Sequence, residues 1–160
     1  MSNADNAFGF VPVSNNPATT TLTAGGTFAK GDLLMVSSGK AVVFDHGAGS
    51  LSCGVAATAG SSGNSCIVYT DPECEYMCQT ISGTNYVKAT HDLTYVDSAG
   101  ATGAMEADIT ASTNNTLLVI GHYPIKGSED VGDDHAVIRV KIAQHLFASA
   151  PSATDASVPA

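Results

Sequence analysis

The chain has no tryptophan and only six lysines and arginines among its 160 residues. The second shortage is the more restrictive. Nucleic-acid binding rests on clustered cations that neutralise phosphates, and a chain with a net charge of −9 repels a phosphate backbone. An anionic membrane is disfavoured as a partner for the same reason. No stretch reaches the eighteen or so apolar residues of a membrane-spanning helix. No basic start followed by an apolar core marks a signal peptide, so the chain is expected to fold in a cytoplasm, where thiols stay reduced. Charged residues are 13% of the total, about half the usual share. Alanine, glycine, serine and threonine fill the gap, as in β-rich chains with many turns. The length points to one domain with tails. A chain of this size buries on the order of 70% of its unfolded surface and needs no metal or disulfide staple.

What is present is a succession of short strands. Residues 66–70 are a β-branched and aromatic run with no helical period. Asp71-Pro72 breaks it, because proline lacks an amide hydrogen and restricts the residue before it. Cys74, Tyr76 and Cys78 then alternate with Glu73, Glu75, Met77 and Gln79, the period of two that marks a half-buried strand. Residues 65–80 therefore read as strand, sharp corner, second strand. Upstream, Ser38-Gly39 between residues 33–37 and 40–45 is a tight hairpin signal. Downstream, residues 82–85 read as a turn, 86–89 as a short strand, and Leu93, Tyr95 and Val96 as apolar anchors. Residues 105–109 fit one helical turn or an edge strand, and 117–122 a strand. Residues 125–135 are an exposed acidic loop. In residues 137–142, Ile138, Val140 and Ile142 face one way while Val137, Arg139 and Lys141 face the other. Strands recurring about every ten residues indicate an all-β barrel or sandwich.

Three divisions follow: an extended N-terminal arm at 1–21, a β-body at 22–147 and a flexible C-terminal tail at 148–160. Phe8, Phe10, Val11 and Val13 are the large apolar groups of the arm after Met1, and the aromatic pair favours an arm that docks over a disordered end.

No constellation supports catalysis. Cys53, Cys66, Cys74 and Cys78 lack the paired knuckle spacing of a zinc site. Cys74 and Cys78, four positions apart on a strand, stand about 13 Å apart, so all four read as small buried groups, with disulfides formed after release from the cell as the alternative. His46, His91, His122, His135 and His145 are scattered without ligand spacing. Asp133, Asp134 and His135 could bind a cation, as could the cluster Glu129, Asp130, Asp133 and Asp134, but without the calcium-loop pattern both read first as a solvated acidic loop. Gly60-Ser61-Ser62-Gly63-Asn64 has neither the lysine of a phosphate loop nor a nucleophile elbow. Glu73 and Glu75 belong to a strand's solvent face. A non-enzyme without cofactor or metal is the expectation.

The order of these elements resembles the capsid cement, or decoration, proteins of tailed bacteriophages. The resemblance covers Leu22 to Phe147. It rests on Gly31-Asp32-Leu33, Ser38-Gly39-Lys40-Ala41-Val42, Gly54-Val55-Ala56-Ala57 and the loop from Gly60 to Asn64. It continues through Val68-Tyr69-Thr70-Asp71-Pro72, Glu75-Tyr76-Met77-Cys78-Gln79, and the late strand Val137 to Ile142 before His145, Leu146 and Phe147. The resemblance implies a small β-barrel or β-tulip body and no catalytic residues. It implies a homotrimer ahead of a homodimer, seated on the outer capsid surface of the virion at joints between major capsid protein subunits. There it would resist the pressure of packaged DNA. Phe8, Phe10, Val11 and Val13 of the arm, with Leu146 and Phe147 at the other end, are the expected contacts. Deleting the arm is expected to abolish capsid binding and leave the body folded. One alternative is a glycan-binding module of a head fibre or adhesin, which requires exposed aromatics in a groove; another is a metal-dependent enzyme using His and Asp, which a stoichiometric metal in the purified protein would reveal.

Overall fold

The computed structural model describes residues 3, 5–47, 49–81, 94–126 and 134–148. Its strands are β1 (Val11–Pro12), β2 (Thr19–Thr23), β3 (Leu33–Ser37), β4 (Lys40–Val43), β5 (Ser52–Ala56), β6 (Ser65–Tyr69), β7 (Glu75–Gln79), β8 (Thr94–Ala99), β9 (Glu106–Asp108), β10 (Leu117–His122) and β11 (Val137–Ile142). Among the described residues there is no helix, and so none long and apolar enough to cross a membrane. The expected turn at 82–85, strand at 86–89, Leu93, the loop at 127–133 and the tail from 149 lie outside the described residues.

Local chemistry accounts for the strands that alternate. Ser38 and Gly39 both take positive φ, 51° and 76°, as a two-residue type I′ turn requires. They join β3 to β4 in the register Ser37↔Lys40. Asp71-Pro72 makes the expected corner: Asp71 Oδ1 accepts from the Glu73 N–H at 2.9 Å, and the Asp71 carbonyl accepts from the Cys74 N–H at 3.1 Å. The corner carries the chain from one sheet to the other. β6 lies in a five-stranded sheet of order β2-β6-β5-β3-β4, and β7 in a six-stranded sheet of order β1-β7-β11-β10-β8-β9. Within residues 105–109, Glu106–Asp108 form an edge strand, β9, rather than a helical turn.

The main core lies between the sheets. Cys74, Tyr76, Cys78, Val96, Leu117, Val119, Ile138, Val140 and Ile142 meet Leu33 and Val55 of the second sheet, with Phe10 and Phe44 packed in. The other face of the five-stranded sheet holds a smaller core of Ala24, Phe28, Leu34, Ala41, Cys53, Ala56, Cys66 and Val68. Successive side chains of a strand point to opposite faces, so Leu33 serves one core and Leu34 the other. β5 is buried along its whole length for the same reason.

Two expectations are corrected. The body is all-β, but it is two antiparallel sheets rather than a closed barrel. The edge strands β2 and β4 approach at one parallel bridge, Ala24↔Ala41, which a closed ladder would extend along both strands. The arm at 1–21 is not separate from the body. β1 pairs with β7 through Val11↔Met77 and Pro12↔Tyr76, and the division at residue 21 falls inside β2, which pairs with β6 from Thr19↔Tyr69 to Thr23↔Ser65. A Thr-rich run is polar, yet its β-branched residues suit an edge strand held by main-chain bonds.

Candidate functional site

The expected contact residues divide by burial. Phe10 is 1% exposed and belongs to the main core. Its N–H donates to the Gly31 carbonyl at 2.8 Å, so the ring enters the core beside the start of β3. Phe8, Val11 and Val13 are half-buried. The Val13 N–H donates to the Glu75 carbonyl, and the Glu75 N–H donates to Ser14 Oγ, each at 2.8 Å. Phe8, Phe10, Val11 and Pro12 border a small hollow of about 140 Å³ with Lys30, Gly31, Ala56 and Tyr69. Of the four N-terminal contacts, Phe10 is therefore lost to the fold, while Phe8 and Val11 retain accessible surface at one place.

The contacts expected near the C-terminus, Leu146 and Phe147, lie in solvent. Leu146 is 41% and Phe147 47% exposed. They follow β11 on a turn docked against the start of β5: the Ser52 N–H donates to the Gln144 carbonyl at 2.9 Å, and the Leu146 N–H donates to the Ser52 carbonyl at 2.7 Å. Ser52 is fixed in turn, its Oγ donating to the Leu34 carbonyl at 2.8 Å. This ladder brings a third apolar side chain to the same edge, Leu51, 45% exposed. Leu51 was not expected there, because a lone leucine after a glycine-rich loop carries no signal of the segment it will pair with.

His145 holds this edge in shape. The residue is 6% exposed. Its Nδ1 accepts from the Phe147 N–H at 3.1 Å, and its ring lies 6.0 Å from the Phe147 ring. Burial pushes the imidazole below its ordinary pKa of 6.5, with Asp71 acting the other way. The neutral ring is the form that can accept this bond.

The two sets of contacts do not merge. Leu51 precedes β5 and Ala56 ends it, so the C-terminal edge and the N-terminal hollow stand about 16 Å apart along that strand.

Other residues weighed for chemistry have structural surroundings. The four cysteines are buried free thiols. Burial pushes Cys53 up to about 11 and raises Cys66, Cys74 and Cys78 as well, which keeps them protonated and poor as nucleophiles or ligands. Glu73 pairs with Lys141 at 2.7 Å and Glu75 with Arg139 at 2.9 Å across the β7–β11 ladder. Such surface pairs contribute about 1 kcal/mol or less. No protein-family model matches the chain, and no curated protein matches it either.

Proposed function

We propose that this chain is a structural virion protein of the capsid cement type, which binds the outer surface of a phage head and stabilises joints between major capsid protein subunits. The observation that carries this reading is the edge formed by Leu51, Leu146 and Phe147, with three large apolar side chains in water on an acidic body. Their main chains are pinned by Ser52 and His145, so little order remains to be imposed when the edge meets a partner. A homotrimer on a symmetry position would multiply such modest contacts through avidity.

The woven N-terminus changes the test. Deleting residues 1–21 removes β1, most of β2 and the Phe10 ring, so the deletion would unfold the body rather than report on binding. The informative variant is Leu146→Ser with Phe147→Ser, because both side chains are exposed. Light scattering of the wild-type chain should give a discrete trimer that co-sediments with empty capsid shells of a tailed phage at saturable stoichiometry. The double variant should stay folded and lose most of that occupancy. A wild-type monomer that ignores shells would reject the proposal.

One observation favours the glycan-binding alternative. Tyr95, 51% exposed, borders a hollow of about 240 Å³ with Leu118, Lys141 and Glu73. An aromatic face beside charged hydrogen-bonding groups suits a sugar ring. A sugar screen in which Tyr95→Ala abolishes a hit would move the reading there.

A further inference from the structure

We propose that Asp5, Glu106 and His135 form a binding site for a divalent transition-metal cation, with zinc as the best fit, which ties the N-terminal segment to the six-stranded sheet. The inference is independent of the capsid reading. Asp5 precedes β1, Glu106 opens β9 and His135 stands just before β11. Their ligand atoms all lie within 4.8 Å of one another. His135 Nδ1 is 3.6 Å from Asp5 Oδ1 and 3.9 Å from Glu106 Oε2. These separations are too long for hydrogen bonds. They are close to the spacing of about 3.3 Å between ligand atoms arranged tetrahedrally around an ion some 2 Å from each.

A second observation points to a ligand. Among the described residues, the atoms Glu106 Oε2 and His135 Nδ1 are shut off from solvent, in side chains 16% and 26% exposed, and neither atom has a hydrogen-bond partner. Buried polar atoms are nearly always satisfied, so two orphans facing each other need an explanation. A cation between them satisfies both at once. Burial first, and Asp5 second, push the Glu106 carboxyl above its ordinary range, with His135 opposing, and a bound cation relieves that penalty. Asp5, with its side chain 71% exposed, can swing toward the pair at little cost.

The main chain is held in place without the ion. Gln79 Oε1 accepts from the Asn6 N–H at 3.0 Å, and Gln79 Nε2 donates to the His135 carbonyl at 3.2 Å. Asn3 Nδ2 donates to the Asp134 carbonyl at 3.0 Å. The Asp5 and His135 segments are thus held in register by main-chain and side-chain bonds beside the ligands. Two carboxylate oxygens and one imidazole nitrogen suit zinc or manganese, whereas calcium takes oxygen donors.

The test is a titration of the metal-free, folded chain with zinc chloride, read by calorimetry, thermal melting and nitrogen-15 NMR of the histidine side chains. The expected result is one zinc per chain, a Tm raised by about 5 °C at saturation and a shift of the His135 imidazole nitrogens with those of His46 and His145 unmoved. Glu106→Gln, which keeps the shape, should remove the His135 shift and most of the Tm gain, and His135→Ala should do the same. The NMR readout separates this site from the four cysteines, which are buried in the native state. A Tm and His135 resonances that zinc leaves unmoved would overturn the proposal. So would undiminished zinc binding by Glu106→Gln, or calcium stabilising the chain as well as zinc.

Discussion

Gly9 and Gly31 pass backbone against backbone. Both take positive φ, 78° and 93°, and a Cβ on Gly9 would stand 2.7 Å from the Gly31 carbonyl oxygen. That oxygen is the acceptor for the Phe10 N–H. The close approach lets the N-terminal segment reach the sheet and turn the Phe10 ring into the core.

This contact makes the N-terminus part of the fold. Gly9→Ala should cost about 2 kcal/mol, combining left-handed strain with a backbone clash. Phe10→Ala should cost about 3–5 kcal/mol, as for other buried phenylalanines. Urea unfolding followed by circular dichroism measures both. A Phe10→Ala midpoint equal to wild type would mean that the segment is not docked in solution.

Asp32 ties distant loops together. It is fully buried, and its Oδ2 accepts from the Ala29 N–H at 2.9 Å while its Oδ1 accepts from the Gly103 N–H at 2.6 Å. Both oxygens must therefore be acceptors. Asp32→Asn replaces one of them with a donor facing an N–H, and should destabilise by about 2 kcal/mol despite equal size. Hydrogen exchange should show the Ala29 or the Gly103 amide losing protection in this variant, and protection unchanged at both would contradict the assignment.

Acid should weaken the C-terminal edge. His46 and His145 both have their pKa pushed below 6.5, chiefly by burial. The unfolded chain then binds more protons than the folded one in the window below 6.5. Stability is complete above that value and falls as pH drops through the folded-state pKa of each ring. The urea midpoint should be lower at pH 5.5 than at 7.5. Glu106, with its pKa raised, titrates in the opposite sense, so the clean measurement is a difference. His145→Gln, which cannot charge, should show a smaller fall than wild type. Equal falls would mean that protonation of His145 does not contribute.

The sequence by itself determined what depends on neighbours along the chain. The Ser38-Gly39 hairpin was legible because only a few residue types adopt its left-handed pair of dihedrals. The buried faces of β7 and β11 were legible because Cys74, Tyr76 and Cys78, and Ile138, Val140 and Ile142, recur at the strand period with charged groups such as Glu75, Arg139 and Lys141 between them. The Asp71-Pro72 corner followed from proline's missing amide hydrogen. An all-β architecture follows from these signals together.

The tertiary structure alone decided which strand lies beside which, and with it both candidate sites. β2 is polar along most of its length, and the hydrogen bonds that make it a strand run through main-chain atoms that are the same in every residue type. Phe10 reads as a free contact until the chain is folded, because apolarity does not say whether a ring meets the protein's own core or a partner. Leu51 joins Leu146 through the main chain of Ser52, and Asp5, Glu106 and His135 meet from three separate segments. No local period or spacing encodes such meetings. They arise because two sheets pack on one core, and burial of that core brings remote loops to the same edge.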